Sequence, residues 1–148
     1  MEEKHAEEGI KVTNGEAIAL LSNPIWTARA LPVKTRYWLS RIADRLQGIA
    51  KATAAEREKI IMENCSKDDA GKPALKDGKR YIFDPPEKEV EANSAIKELM
   101  AIENELPWRR LVIDLAAVPE GFELSAADMA DARPVAEFVF EEKEKPGK

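Results

Sequence analysis

The chain has 148 residues, of which 44% are hydrophobic, enough for one continuous core and too few for two independent domains. Its 23 basic and 28 acidic residues leave a formal net charge of -5, which disfavours a general affinity for nucleic acid. Cys65 is the only cysteine, so an intrachain disulfide and a four-cysteine zinc site are excluded.

Met1–Gly9 and Glu141–Lys148 read as flexible, solvated tails around a single domain of residues 10–140. Ile10–Thr13 alternates briefly as a strand. Thr13 is then placed to cap a helix while Glu16 reaches back, with Val12 and Ala17 as a small hydrophobic staple, so Glu16–Leu21 is expected to be helical until Asn23-Pro24 stops it. Leu31-Pro32 opens a second, long helix. Along it Leu39, Ile42, Leu46, Ile49, Thr53, Glu56 and Ile60 recur at steps of three and four, the spacing of a packing seam. Thr53 and Glu56 interrupt that seam, which predicts looser packing in the middle or a shift of the stripe onto Ala50, Ala54 and Ile61.

Helical signal fades after Asn64. Lys67–Lys79, with Gly71, Gly78, Pro73 and a run of lysines and aspartates, reads as an exposed loop, and Arg80–Phe83 as a short strand or an aromatic clip. Pro85-Pro86 closes the loop. A third helix is predicted over Glu87–Leu106, with Ala92, Ile96, Leu99 and Leu106 as its stripe, ended by Pro107. Two long helices joined by one loop predict an antiparallel hairpin as the main stabilising feature. Arg110–Leu115 then reads as a largely buried strand whose expected partner is Ile10–Thr13. After a turn at Pro119–Phe122, Ser125 caps a short helix, Ala126–Ala132, and Arg133-Pro134 either kinks it or starts a new turn through Phe138. The expected fold class is α+β: a long antiparallel helical hairpin with a small two- or three-stranded antiparallel sheet and short terminal helices.

The residue types that carry chemistry are sparse. His5 lies in a polar tail with no rigid support for proton transfer. Asp68, Asp69 and Asp77 do not match the alternating ligand spacing of a calcium loop, and Cys65 reads as a helix-end thiol without a catalytic partner. Glu87 and Glu91 share a helix face, but nearby lysines make them solubilising groups rather than an acid and base pair. Gly71-Lys72 and Gly78-Lys79 lack the preceding buried strand and following helix of a phosphate loop. No catalytic residue, metal site or cofactor is expected, and the chain is not expected to be an enzyme.

The sharper signal is a basic stripe: Lys34, Arg41 and Arg45 lie seven and four residues apart, with Trp38 between them on nearly the same face. Such a stripe suits phosphates, a stacked base or an acidic protein surface, and Trp38 suits core or subunit-interface packing as well as a ligand platform. Trp26 and Trp108 sit beside proline-bounded helix ends, where large rings seal a core edge. Charge is also segregated along the chain. Arg29–Lys59 holds eight basic residues against three acidic, and Val112–Lys148 nine acidic against four basic.

Lys11-Val12-Thr13-Asn14-Gly15-Glu16, Leu31-Pro32-Val33-Lys34 with Tyr37 and Leu39, the central Asp/Lys/Gly loop and Leu124-Ser125-Ala126-Ala127-Asp128 together resemble small proteins of tailed phages and prophages. The resemblance spans roughly Ile10 to Phe140 and implies a context among virion-structure or assembly genes. It brings no catalytic residue with it. The expected function is therefore a non-enzymatic structural or assembly-associated role through protein–protein interaction, with a homo-oligomer or a phage assembly protein as partner. The alternative is a small-ligand or nucleic-acid-binding regulator, such as a nucleotide-sequestering phage accessory protein, using Lys34, Trp38, Arg41 and Arg45. No apolar run approaches the roughly 20 residues of a membrane span, and the acidic, polar start does not read as a secretory signal. The expected location is the cytoplasm, that of the host or the virion if the gene is viral.

Overall fold

A computed structural model describes residues 9–117 and 124–139. The expected turn at Pro119–Phe122, the tail after Glu141 and all of the N-terminal tail except Gly9 lie outside the described residues. In chain order the elements are β1 (Lys11–Thr13), α1 (Asn14–Leu20), α2 (Val33–Asn64), β2 (Leu75–Lys76), β3 (Arg80–Tyr81), α3 (Glu87–Met100), β4 (Glu103–Glu105), β5 (Leu111–Asp114), α4 (Ala126–Asp131) and β6 (Ala136–Val139). Short 3-10 turns occupy Pro24–Thr27 and Leu115–Ala117. The sequence reads as one domain over residues 10–140. The fold groups into two compact units, Met1–Ile49 with Glu103–Lys148, and Ala50–Ile102.

The first unit begins with the predicted capping box. Thr13 Oγ1 accepts from the Glu16 amide at 3.0 Å, and Glu16 Oε1 accepts from the Thr13 amide at 2.8 Å, so two amides that the helix cannot satisfy internally are paired. Asn23 repeats the device one step on: its Oδ1 accepts from the Ile25 amide at 2.9 Å and starts the turn at Pro24. The early part of α2 presents Leu39, Ile42 and Leu46 to a buried cluster that includes Ile10, Val12, Ile25, Leu31, Leu106, Ile113 and Val135. Trp26 and Trp108 pack half-buried at its edge, as expected of them, with Trp26 Nε1 donating to the Leu20 carbonyl at 2.6 Å. Ser125 caps α4, its Oγ accepting from the Asp128 amide at 3.0 Å.

Strand pairing differs from the expected arrangement. β1 pairs antiparallel with β4, in register Lys11↔Glu105 and Thr13↔Glu103, whereas the sequence reads 103–105 as the end of the third helix. That helix stops at Met100. Asn104 and Leu106 turn inward while Glu103 and Glu105 face solvent, a period of two that satisfies the edge of β1. β5, expected beside β1, pairs parallel with β6 instead, Leu111↔Ala136 through Asp114↔Val139. Of the two expectations for Arg133-Pro134, the turn is the one found: α4 ends at Asp131 and residues 132–135 turn the chain, but the turn gives way to β6 at Ala136, so Phe138 lies on a strand. A single antiparallel sheet of two or three strands is thus replaced, among the described residues, by three separate two-stranded sheets, one of them parallel. β5 is also less buried than its apolar run suggests. Ile113 faces the core and Val112 is 61% exposed, because a two-stranded sheet has one face to cover.

In the second unit, the later part of α2 keeps Thr53 buried on the seam and leaves Glu56 exposed; of the expected shifted stripe, Ile61 is buried and Ala50 half-buried, while Ala54 is exposed. Cys65 is buried at the helix end. The Lys67–Lys79 segment is exposed as predicted, and part of it forms a hairpin in which β2 and β3 pair as Leu75↔Tyr81 and Lys76↔Arg80. The Ser66 amide donates to the Ile82 carbonyl at 2.7 Å and the Ile82 amide to the Ala74 carbonyl at 3.1 Å, closing its base. On α3, Ala92 and Leu99 are buried and Ile96 half-buried, while Glu87 and Glu89 in the first turn and Lys97 in the last complement the helix dipole. Burial of large apolar side chains was expected to peak between the two long helices. It peaks in the first unit instead, where seven side chains including Ile42 and Leu46 are almost wholly enclosed.

Candidate interaction site

Lys34, Trp38, Arg41 and Arg45 all fall on the early part of α2, within the first unit. Steps of four, three and four residues align them on one stripe of a helix with 3.6 residues per turn. Lys34, Arg41 and Arg45 are exposed and Trp38 is half-buried.

Two further aromatic residues complete the cluster. Arg41's guanidinium lies 5.8 Å from the ring centroids of Tyr37 and Trp38 and 5.6 Å from that of Trp108. Arg45 lies 6.0 Å from the Trp108 ring. Tyr37 and Trp38 meet edge to face at 5.2 Å, and Arg41 Nη1 donates to the Tyr37 hydroxyl at 2.9 Å. Ring faces carry partial negative charge, so three of them around one guanidinium hold Arg41 in a defined orientation. Tyr37 is four residues before Arg41, a helical neighbour legible in the sequence. Trp108 arrives from the segment between β4 and β5, and no local pattern could have placed it there.

Among the described residues no carboxylate pairs with Lys34, Arg41 or Arg45. The rings orient the cations without neutralising them, and one of Arg41's several N–H donors is spent on Tyr37. The remainder suit a carboxylate or phosphate. Within the cluster there is no carboxylate, thiol or imidazole, the groups that most often carry proton transfer and nucleophilic attack. What it does offer is orientation of an anion beside flat apolar surface.

The other sequence candidates have local structural roles. Asp68 Oδ1 accepts from the Ala70 and Lys72 amides, both at 2.9 Å, and so builds a turn. Asp77 and Gly78 form the tip of the β2–β3 hairpin. Glu91 pairs with Lys88 at 3.9 Å. Among the described residues, no group of three or more His, Cys, Asp or Glu is placed to hold a metal ion, and His5 lies outside them. No described helix is long and apolar enough to cross a membrane.

Two open grooves also lie in the first unit. One, of about 470 Å³, is lined by residues including Glu16, Asp128 and Asp131. The other, of about 540 Å³, includes Arg110, Arg133 and Phe138. No protein-family model, no curated protein and no solved structure matches this chain.

Proposed function

We propose that this chain is a non-enzymatic protein that acts through protein–protein contact, as a structural or assembly-associated component of a phage or prophage. Its docking surface is the Arg41 cluster. The observation that carries this reading is the pair of guanidiniums, Arg41 and Arg45, held against aromatic rings without a carboxylate partner among the described residues.

Tyr, Trp and Arg dominate the binding energy of protein interfaces, because rings cover much area at small entropic cost and a guanidinium presents a fixed fork of donors. Beside the cations, Val33 is 71% exposed and Tyr37 51%. Charge adjoining exposed apolar surface suits a protein partner better than a phosphate backbone, and the net charge of -5 argues the same way. The partner defined by this chemistry presents carboxylates about one helical turn apart, roughly 6 Å, beside an apolar edge. We read the second unit as an antiparallel helical hairpin, a reading supported by the burial of Ile61 on α2, of Cys65 just past its end, and of Ala92 and Leu99 on α3. Residence in the host cytoplasm or the virion goes with the phage context.

A photo-crosslinking amino acid in place of Val33, introduced in cells that naturally carry the gene, tests the reading. The expected result is a crosslink to protein that disappears when Arg41→Glu and Arg45→Glu are combined with it. Crosslinks to nucleic acid or nucleotide instead, or protein crosslinks that persist in the charge-reversed chain, overturn it.

A further inference from the structure

A surface complementary to the Arg41 cluster is present on the chain itself. The groove of about 470 Å³ in the first unit carries Glu16, Asp128 and Asp131, together with the apolar Leu20, Ala130 and Pro134. Its volume lies in the range of roughly 300–1,000 Å³ found for clefts that enclose a ligand-sized group. None of its lining residues belongs to the Arg41 cluster, so a single copy carries both halves of a complementary pair.

The carboxylates are set by local structure. Glu16 closes the capping box on Thr13. Asp128 stands in the first turn of α4, where exposed amides favour negative charge. Asn23 Nδ2 donates to the Asp128 carbonyl oxygen at 2.9 Å and so ties the two sides of the groove together. Among the described residues no cation pairs with Asp128 or Asp131. Cations without carboxylates on one patch and carboxylates without cations on another mirror the charge segregation between Arg29–Lys59 and Val112–Lys148.

We propose that the chain self-associates head to tail, the Arg41–Arg45 face of one copy docking into the Glu16–Asp128–Asp131 groove of a second copy. This inference rests on the reading of the Arg41 cluster as a protein-docking surface and names its partner. Guanidinium forks meet carboxylates across the contact, and the ring of Tyr37 covers the apolar part of the groove. Because Tyr37, Trp38 and Trp108 already hold Arg41, little side-chain freedom is lost on docking. The two patches are different surfaces. Each pairing therefore leaves one free face of each kind, and assembly proceeds to a ring or filament instead of stopping at two copies.

The test is sedimentation velocity of the untagged full-length chain over a concentration series at low and high salt. Wild type is expected to associate beyond a dimer, and less so in high salt. Arg41→Glu with Arg45→Glu, and separately Asp128→Lys with Asp131→Lys, should each weaken association about tenfold or more. An equimolar mixture of the two variants should assemble again, because the acidic face of one then meets the basic groove of the other, and this recovery also shows that both variants are folded. A wild type that stays monomeric at every concentration, either variant assembling like wild type, or a mixture that does not recover overturns the proposal. Monomeric wild type with a Val33 crosslink to a different protein removes the head-to-tail contact alone; the docking reading falls when Val33 crosslinks to nucleic acid or nucleotide instead, or when its protein crosslink persists with Arg41→Glu and Arg45→Glu.

Discussion

Asn104 donates through Nδ2 to Oδ1 of Asn14 at 2.8 Å, a bond between β4 and the first residue of α1 that spans 90 positions of sequence. The same nitrogen reaches the Val12 carbonyl at 3.2 Å, and Asn14 is only 6% exposed. A buried amide pair costs free energy when half of it is removed, since the remaining group has lost both water and partner. Asn104→Ala is therefore expected to destabilise the chain by about 1–3 kcal/mol. In a double-mutant cycle with Asn14→Ala, followed by urea unfolding and circular dichroism, the pair should couple by about 0.5 kcal/mol or more. Simply additive costs would show that the bond contributes nothing.

The stacking of Arg41 on Trp108 makes a second prediction. Exposed cation–π pairs contribute about 0.5–1 kcal/mol, and a coupling of that size is expected between Arg41→Ala and Trp108→Ala in the same unfolding assay. Lys34→Ala, on the same stripe but with no ring beneath it among the described residues, should change stability by no more than about 0.5 kcal/mol. A coupling of zero between Arg41 and Trp108 would mean that the rings do not hold the guanidinium.

Asp77 and Gly78 give a third. Both have positive φ, 56° and 70°, and the Lys79 amide donates to the Lys76 carbonyl at 3.0 Å, the geometry of a tight hairpin turn with two left-handed residues. Gly78→Ala places a Cβ in that region at a cost of about 1–2 kcal/mol. Amide exchange read by mass spectrometry or NMR should quicken at Ser66 and Ile82, whose amides close the hairpin base. The amides around Leu39, Ile42 and Leu46 should keep their protection. Uniform loss of protection along the chain would contradict a local effect.

Much of the helical structure was legible because its signals are local. Thr13 with Glu16, Ser125 with Asp128, Pro32 before Val33 and the fading of the pattern at Asn64 each act within a few residues, and each lies where it was expected. Asp77-Gly78 has the chemistry of a hairpin turn, yet Lys67–Lys79 reads only as an exposed loop. The flanks of the dipeptide, Leu75-Lys76 and Arg80-Tyr81, were too short to display an alternation that would have distinguished a hairpin from a loop.

The four residues of the basic stripe were legible from helical period, and so was Tyr37. Trp108 was not, since its place beside Arg41 and Arg45 depends on the path taken through β4 and β5.

By itself the sequence determined the caps of α1 and α4, where α2 starts and stops, which side of α2 is apolar and which side carries Lys34, Arg41 and Arg45. Tertiary structure decided the strand partners. Glu103-Asn104-Glu105 has no strong preference of its own, and becomes a strand because β1 offers an unsatisfied edge and Asn104 finds Val12 and Asn14 there. β5 turns from β1 to β6 because that edge of β1 is already taken and because α4 provides the crossover that a parallel pair requires. Helix signals are written within one turn of chain, whereas a strand's partner is chosen by hydrogen-bonding groups that meet only after the chain has folded back on itself.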